Sequence, residues 1–129
     1  MALEYALIVP GGITPEAMWP RLYGERYTPP TPIIDDGLWT AEERERFGVL
    51  ITLHRGEHGF YDVGDRVREP AEYLYVGFRA DWEDLARADR SVRELAQNVL
   101  DSGGEDLWLS LNGEELLLER IDGEVRHEA

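Results

Sequence analysis

The chain has 129 residues, 43% of them hydrophobic and 31% charged, which suits one hydrophobic core and a single domain spanning 1–129. Thirteen arginines, with no lysine, face 27 aspartates and glutamates, and the net charge of −14 opposes contact with nucleic-acid phosphates or an anionic membrane surface. The absence of cysteine excludes disulfides, thiolate nucleophiles, iron–sulfur clusters and cysteine-bound zinc.

Met1 to Val9 carries Glu4 and no basic n-region, so it does not read as a secretory signal. The longest apolar runs are four to five residues, against roughly 20 for a bilayer span. A cytoplasmic protein is the expectation. Leu3, Tyr5, Leu7 and Val9 alternate with Glu4, Ala6 and Ile8, the period of a half-buried strand, and Pro10-Gly11-Gly12 stops it. Thr14 before Pro15 predicts a helix start, because the hydroxyl accepts an orphan amide and proline pre-sets φ where no amide is lost. That helix runs to about Tyr23. Gly24 to Pro32 crowds prolines and glycines with Thr28 and Thr31, a composition for extended loop.

Ile33 to Trp39 reads as a strand broken by Asp35-Asp36-Gly37, and Thr40 opens an acidic helical turn through Glu42, Glu43 and Glu45. Val49, Ile51 and Leu53 alternate with Leu50, Thr52 and His54, and Gly56 and Gly59 predict a hairpin into Phe60, Tyr61 and Val63. On the next strand Leu74, Val76 and Phe78 point one way, and Tyr73, Tyr75 and Arg79 the other. Asp81 reads as a helix cap, with Asp84 three positions on and Leu85, Ala88, Val92, Leu95, Ala96 and Val99 at helical spacing. The helix runs to about Asp101 and ends at Gly103-Gly104. Its other side carries Arg87, Arg90, Arg93 and Glu94, with Glu83 spaced to pair with Arg87. Leu107, Leu109 and Leu111 alternate with Trp108, Ser110 and Asn112. Asn112-Gly113 is a strong hairpin signal, the return strand covers Leu116 to Ile121, and Asp122-Gly123 turns the chain into Glu124 to His127.

This order predicts an α+β domain, a mainly antiparallel sheet with two helices packed on one face. If the helices cover Leu74, Val76, Phe78, Leu107, Leu109 and Leu111, the opposite face presents Tyr73, Tyr75, Trp108, Leu50 and His54. An aromatic patch rimmed by acid follows.

Few residues invite chemistry. His54, Glu57 and His58 have a spacing that would share a metal on a helix, but here they flank a glycine turn and read as exposed histidines. Gly11-Gly12 lacks any phosphate-binding continuation. Acid pairs such as Asp35-Asp36, Glu42-Glu43, Glu83-Asp84, Glu105-Asp106 and Glu114-Glu115 are spread along the chain like a solvated surface. Ser91, Ser102 and Ser110 lie in no nucleophile elbow. The expectation is no enzyme, no metal and no cofactor. Of Trp19, Trp39, Trp82 and Trp108, the last sits on the polar phase of its strand, as Tyr75 does on its own, and such rings are common interface anchors.

Met1-Ala2-Leu3-Glu4-Tyr5, the Phe78-Arg79-Ala80-Asp81 turn into a long helix, and Leu111-Asn112-Gly113-Glu114 followed by Leu116-Leu117-Leu118-Glu119-Arg120 resemble the Sit immunity proteins of the third subtype. Those are small cytoplasmic proteins of myxobacteria and actinobacteria that protect a cell from a cognate Sit toxin passed between kin. The resemblance runs from end to end and is weakest over Gly24 to Trp39. It implies a binding protein that occludes a toxin, a partner expected to have a basic surface. On that reading Trp108, Tyr75 and Tyr73 are candidate anchors, and Asp35, Asp36, Glu42 and Glu43 candidate steering acids. Three rivals stand beside it: a small-molecule or metal pocket between sheet and helix around His54, Tyr61 and Arg79; an enzyme using paired carboxylates; and a homodimer formed through the sheet face or an edge strand.

Overall fold

The computed structural model describes residues 2–57, 59, 61–63 and 66–127. The chain runs β1 (Ala2–Pro10), α1 (Pro15–Tyr23), β2 (Ile33–Asp35), β3 (Leu38–Glu43), α2 (Arg44–Phe47), β4 (Val49–Glu57), β5 (Tyr61–Val63), β6 (Arg66–Arg68), β7 (Glu72–Asp81), a 3-10 turn (Trp82–Asp84), α3 (Leu85–Asp101), β8 (Leu107–Leu111), β9 (Glu115–Ile121) and β10 (Glu124–His127). Eight strands form one antiparallel sheet in the order β10-β9-β8-β1-β7-β4-β3-β2, and β5 pairs with β6 apart from it. The α+β class and the mainly antiparallel sheet are as the sequence predicts, with the short α2 as a third helix.

Alternation places the core. Leu7, Val9, Ile51, Leu53, Leu74, Val76, Phe78, Leu107 and Leu109 lie fully buried in one cluster with Met18 and Leu22 of α1 and Val92, Leu95, Ala96 and Val99 of α3. Each large apolar side chain moved there from water contributes about 1.5–3 kcal/mol. The Thr14 hydroxyl accepts from the Ala17 amide at 3.2 Å and caps α1. Arg21 then ties α1 to the end of α3: it pairs with Glu105 at 2.6 Å and donates to the Val99 carbonyl at 3.2 Å. Arg120, buried on the same face, donates to the carbonyl of Leu100 at 2.9 Å, a group that the end of α3 leaves unpaired, and to that of Glu105 in the following loop at 2.7 Å.

Four local expectations are corrected. Thr40 to Glu43 is strand rather than helical turn, because β3 pairs with β4 from Trp39↔Leu53 to Glu43↔Val49 and buries Ala41, so α2 is held to Arg44–Phe47. β4 does not turn back into a hairpin with Tyr61 and Val63; it runs on to Glu57 and pairs along its length with β7. His58 and Phe60, named in that expectation and in the metal pattern, lie outside the described residues. Asp81 makes no side-chain cap bond and instead pairs with Arg44 at 3.2 Å; Asp84 is the α3 cap, accepting from the Arg87 amide at 3.4 Å. Arg87 pairs with that same Asp84, at 3.2 Å, rather than with Glu83.

The hairpin turns fall where they are expected. Asn112 and Gly113 take φ of 53° and 71°, and Asp122 and Gly123 take 51° and 82°. Asp36 and Gly37 do the same at 50° and 81°, so the break between Ile33 and Trp39 is a two-residue turn with both φ positive, joining β2 to β3.

Candidate partner-binding surface

Side chains alternate across the sheet, so the face away from the helices is set by the strand register. Glu119, Trp108, Ile8, Tyr75 and His54 follow one another across β9, β8, β1, β7 and β4. His54 and Arg79 stand on this face too, Arg79 opposite Leu50 and His54 opposite Tyr75, so the expected pocket enclosing both does not form, and His54 without Arg79 lines a groove beside α1. The side chain of Tyr61, the third residue of that reading, lies outside what the structure describes.

The expected open aromatic patch is also corrected. Trp108 is only 2% exposed, Tyr73 is 9% exposed and Ile8 is fully buried, forming a second small core with Ala6, Tyr75, Leu116 and Ile121 against it. Alternation identified the face correctly, but rings on a wide sheet close over their neighbours. Tyr73 lies on Gly56, where an added Cβ would sit 2.2 Å from its ring. Tyr75 remains half-buried, stacked on His54 with ring centres 4.9 Å apart and planes at 22°. Its hydroxyl donates to Glu4 at 2.9 Å, and burial first, then that carboxylate, push its pKa above the ordinary tyrosine value.

The four acids separate into three situations. Glu43 is buried: it accepts from the Tyr23 hydroxyl at 2.6 Å and from Arg46 at 2.5 and 3.2 Å, while the Arg46 guanidinium lies 4.7 Å from the Phe47 ring centre. The expectation of Glu43 as a surface acid is therefore corrected, since β3 turns residues 41 and 43 inward and 42 outward. Burial, then the bond to Glu43, raise the Tyr23 pKa. Glu42 is exposed and pairs with Arg44 at 2.6 Å. Asp35 and Asp36 are exposed at the β2–β3 turn and have no ion-pair partner among the described residues.

The turn also gathers apolar side chains that sequence reasoning passed over as candidates. Ile33 is 72% exposed, Ile34 56% and Leu38 39%, three of the four large apolar residues found exposed among those described. The sequence carries their signal: Ile-Ile and Leu-Trp flank Asp-Asp-Gly, a hairpin whose short strand cannot bury its own side chains. A groove of about 470 Å³ beside the turn is lined by Glu16, Asp36, Leu38, Trp39, His54 and Arg55, among others. Arg55 is already engaged, donating to the carbonyls of Gly11 at 2.7 Å and Ile13 at 3.0 Å and pairing with Glu72 at 3.2 Å. The groove mouth is left with the exposed acids Glu16 and Asp36, neither of them ion-paired among the described residues.

Among the described residues no three His, Asp or Glu side chains converge as metal ligands, and no helix is long and apolar enough to cross a membrane. Among the described residues the one carboxyl whose pKa moves clearly is Glu105, held below the ordinary glutamate value by its hydrogen bond from Arg21. The chain matches the family described as SitI3-like over residues 3–129. No curated protein and no solved structure matches it.

Proposed function

The chain belongs to the SitI3-like family, and from that premise we propose that it is an immunity protein, a cytoplasmic binder that neutralises a cognate toxin by covering a basic surface on it. It transforms no substrate. The observation that carries this reading is the β2–β3 hairpin, where Ile33, Ile34 and Leu38 stand open beside Asp35 and Asp36, which have no ion-pair partner among the described residues.

Two physical terms support it. The net charge of −14 accelerates encounter with a cationic partner and orients it before contact. Charge on a rim gives little affinity by itself, whereas nanomolar binding needs about −12 kcal/mol. Completing the burial of Ile33, Ile34 and Leu38 contributes about 3–5 kcal/mol towards that, given the fractions now open. Asp35, Asp36 and Glu42 act as the steering acids, and Tyr75 offers its half-open ring on the neighbouring sheet face. Trp108, Tyr73 and Glu43 support the fold behind them.

Titration of the purified chain with the product of the neighbouring toxin gene tests the reading. A tight equimolar complex that silences the toxin is the expected result; no complex at micromolar concentrations contradicts it.

A further inference from the structure

β2 is the last strand on its side of the sheet, so one long edge of it pairs with no strand among the described residues. What that edge offers follows from the turn. In a two-residue hairpin the residues flanking the turn form a hydrogen-bonded pair, here Asp35 and Leu38, and pairing alternates from there. Ile33 therefore directs its amide and carbonyl at Thr40, while the N–H and C=O of Ile34 point away from β3. The residue before β2, Pro32, adds an outward carbonyl and no N–H. The Pro-rich approach is pinned, since the Trp19 indole donates to the Pro30 carbonyl at 2.9 Å. The edge is short, fixed in place, and flanked by one apolar side chain on each face of the sheet: Ile34 with Trp39, and Ile33 with Thr40.

We propose that an extended basic segment of the toxin adds to this edge as a ninth, antiparallel strand, an inference that rests on the immunity reading. Two hydrogen bonds form at Ile34, apolar side chains of the segment cover Ile33 and Ile34, and an arginine or lysine reaches Asp35, Asp36 and the groove bearing Glu16. Electrostatics selects this occupant over a second copy of the chain. A β2–β2 dimer joins two bodies of net charge −14 each and brings two Asp35-Asp36 turns close together with no cation beside them. A cationic segment removes that repulsion and supplies the missing partners. The few hydrogen bonds available also limit indiscriminate pairing, because a neutral strand gains only the contacts at Ile34 and the Pro32 carbonyl.

The test uses the intact chain and the purified toxin domain, with three readouts: affinity, hydrogen exchange at the Ile34 amide, and the oligomeric state of the free protein. Ile34→Asp is expected to weaken the complex about tenfold by removing an apolar anchor, a loss that the added attraction for a basic segment offsets only in part. Asp35→Asn/Asp36→Asn is expected to weaken it about tenfold, mostly through a slower and less salt-sensitive association. Asparagine tolerates the positive φ at residue 36, so the turn is kept. The Ile34 amide exchanges slowly only in the complex, a readout on the wild-type chain that stands even if a variant misfolds.

A wild-type complex with an unprotected Ile34 amide and unchanged variant affinities overturns edge pairing and leaves the immunity reading standing. A toxin that fails to bind the wild-type chain at all overturns both. A concentration-dependent dimer that Ile34→Asp disperses gives the edge to a second copy and overturns the basic occupant.

Discussion

Glu43→Ala removes a carboxylate that accepts from the Tyr23 hydroxyl at 2.6 Å and from Arg46 at 2.5 Å, at a position only 6% exposed. Tyr23 is fully buried, so its hydroxyl loses a hydrogen bond to a charged acceptor and has no water to replace it, a cost of about 1.5–3 kcal/mol. Arg46 is 36% exposed and can turn to solvent, so its ion pair adds at most about 1 kcal/mol. Together the loss is about 2–4 kcal/mol, which for a domain of this size lowers Tm by roughly 10 °C. Urea and thermal unfolding of Glu43→Ala, Tyr23→Phe and the double variant measure the coupling directly. The two single losses are expected to exceed the double loss by about 1–2 kcal/mol, with toxin affinity of the folded protein unchanged. A Glu43→Ala protein within about 0.5 kcal/mol of wild type, yet impaired in binding, would refute the buried reading.

Three further outcomes follow from the same reasoning. Trp108→Ala is expected to destabilise the free chain by about 3–5 kcal/mol in urea unfolding, as for a core tryptophan; a surface anchor would leave the melt nearly unchanged. Glu105 holds its proton less tightly folded than unfolded, so its pair with Arg21 contributes fully above the ordinary glutamate pKa of about 4.3 and is lost as pH falls through the lower folded value. Glu105→Gln should therefore flatten the acid-side loss of stability, and an unaltered slope in acid denaturation speaks against the pair. Burial raises the hydroxyl pKa values of Tyr5, Tyr23 and Tyr75, helped by Asp89, Glu43 and Glu4 respectively. Their stabilisation is complete below the ordinary value of about 10 and declines as pH rises beyond it, so phenolate absorbance should report these three only as the chain unfolds.

What the sequence disclosed was mostly local. Alternation in Leu3–Val9 and Leu74–Phe78, the Thr14-Pro15 start and the Asn112-Gly113 and Asp122-Gly123 turns each act over a few residues, and each forms as read. The failures came where distant pairing overrides local preference. Glu42, Glu43 and Glu45 favour a helical turn by themselves, but docking β3 on β4 buries Ala41 and wins. Gly56 and Gly59 suggest a near turn, yet the second partner of β4, beside β3, is β7, reached only after residues 58–71. Alternation places Trp108 on the right face, but periodicity does not say whether Ile8, Leu116 and Ile121 gather around it. The site was half legible for a related reason. Asp35 and Asp36 are exposed because a turn exposes its tip, whereas Glu43 differs from Glu42 only by strand parity, which a helical reading of that stretch conceals.

The measurement that bears most directly on the account is stopped-flow association of the intact chain with its toxin domain across a salt series, with toxin activity assayed at one equivalent. The expected result is nanomolar affinity, association that slows steeply with salt, and complete loss of toxin activity. Association indifferent to salt, or a complex in which the toxin stays active, would contradict occlusion of a basic surface by this acidic hairpin edge.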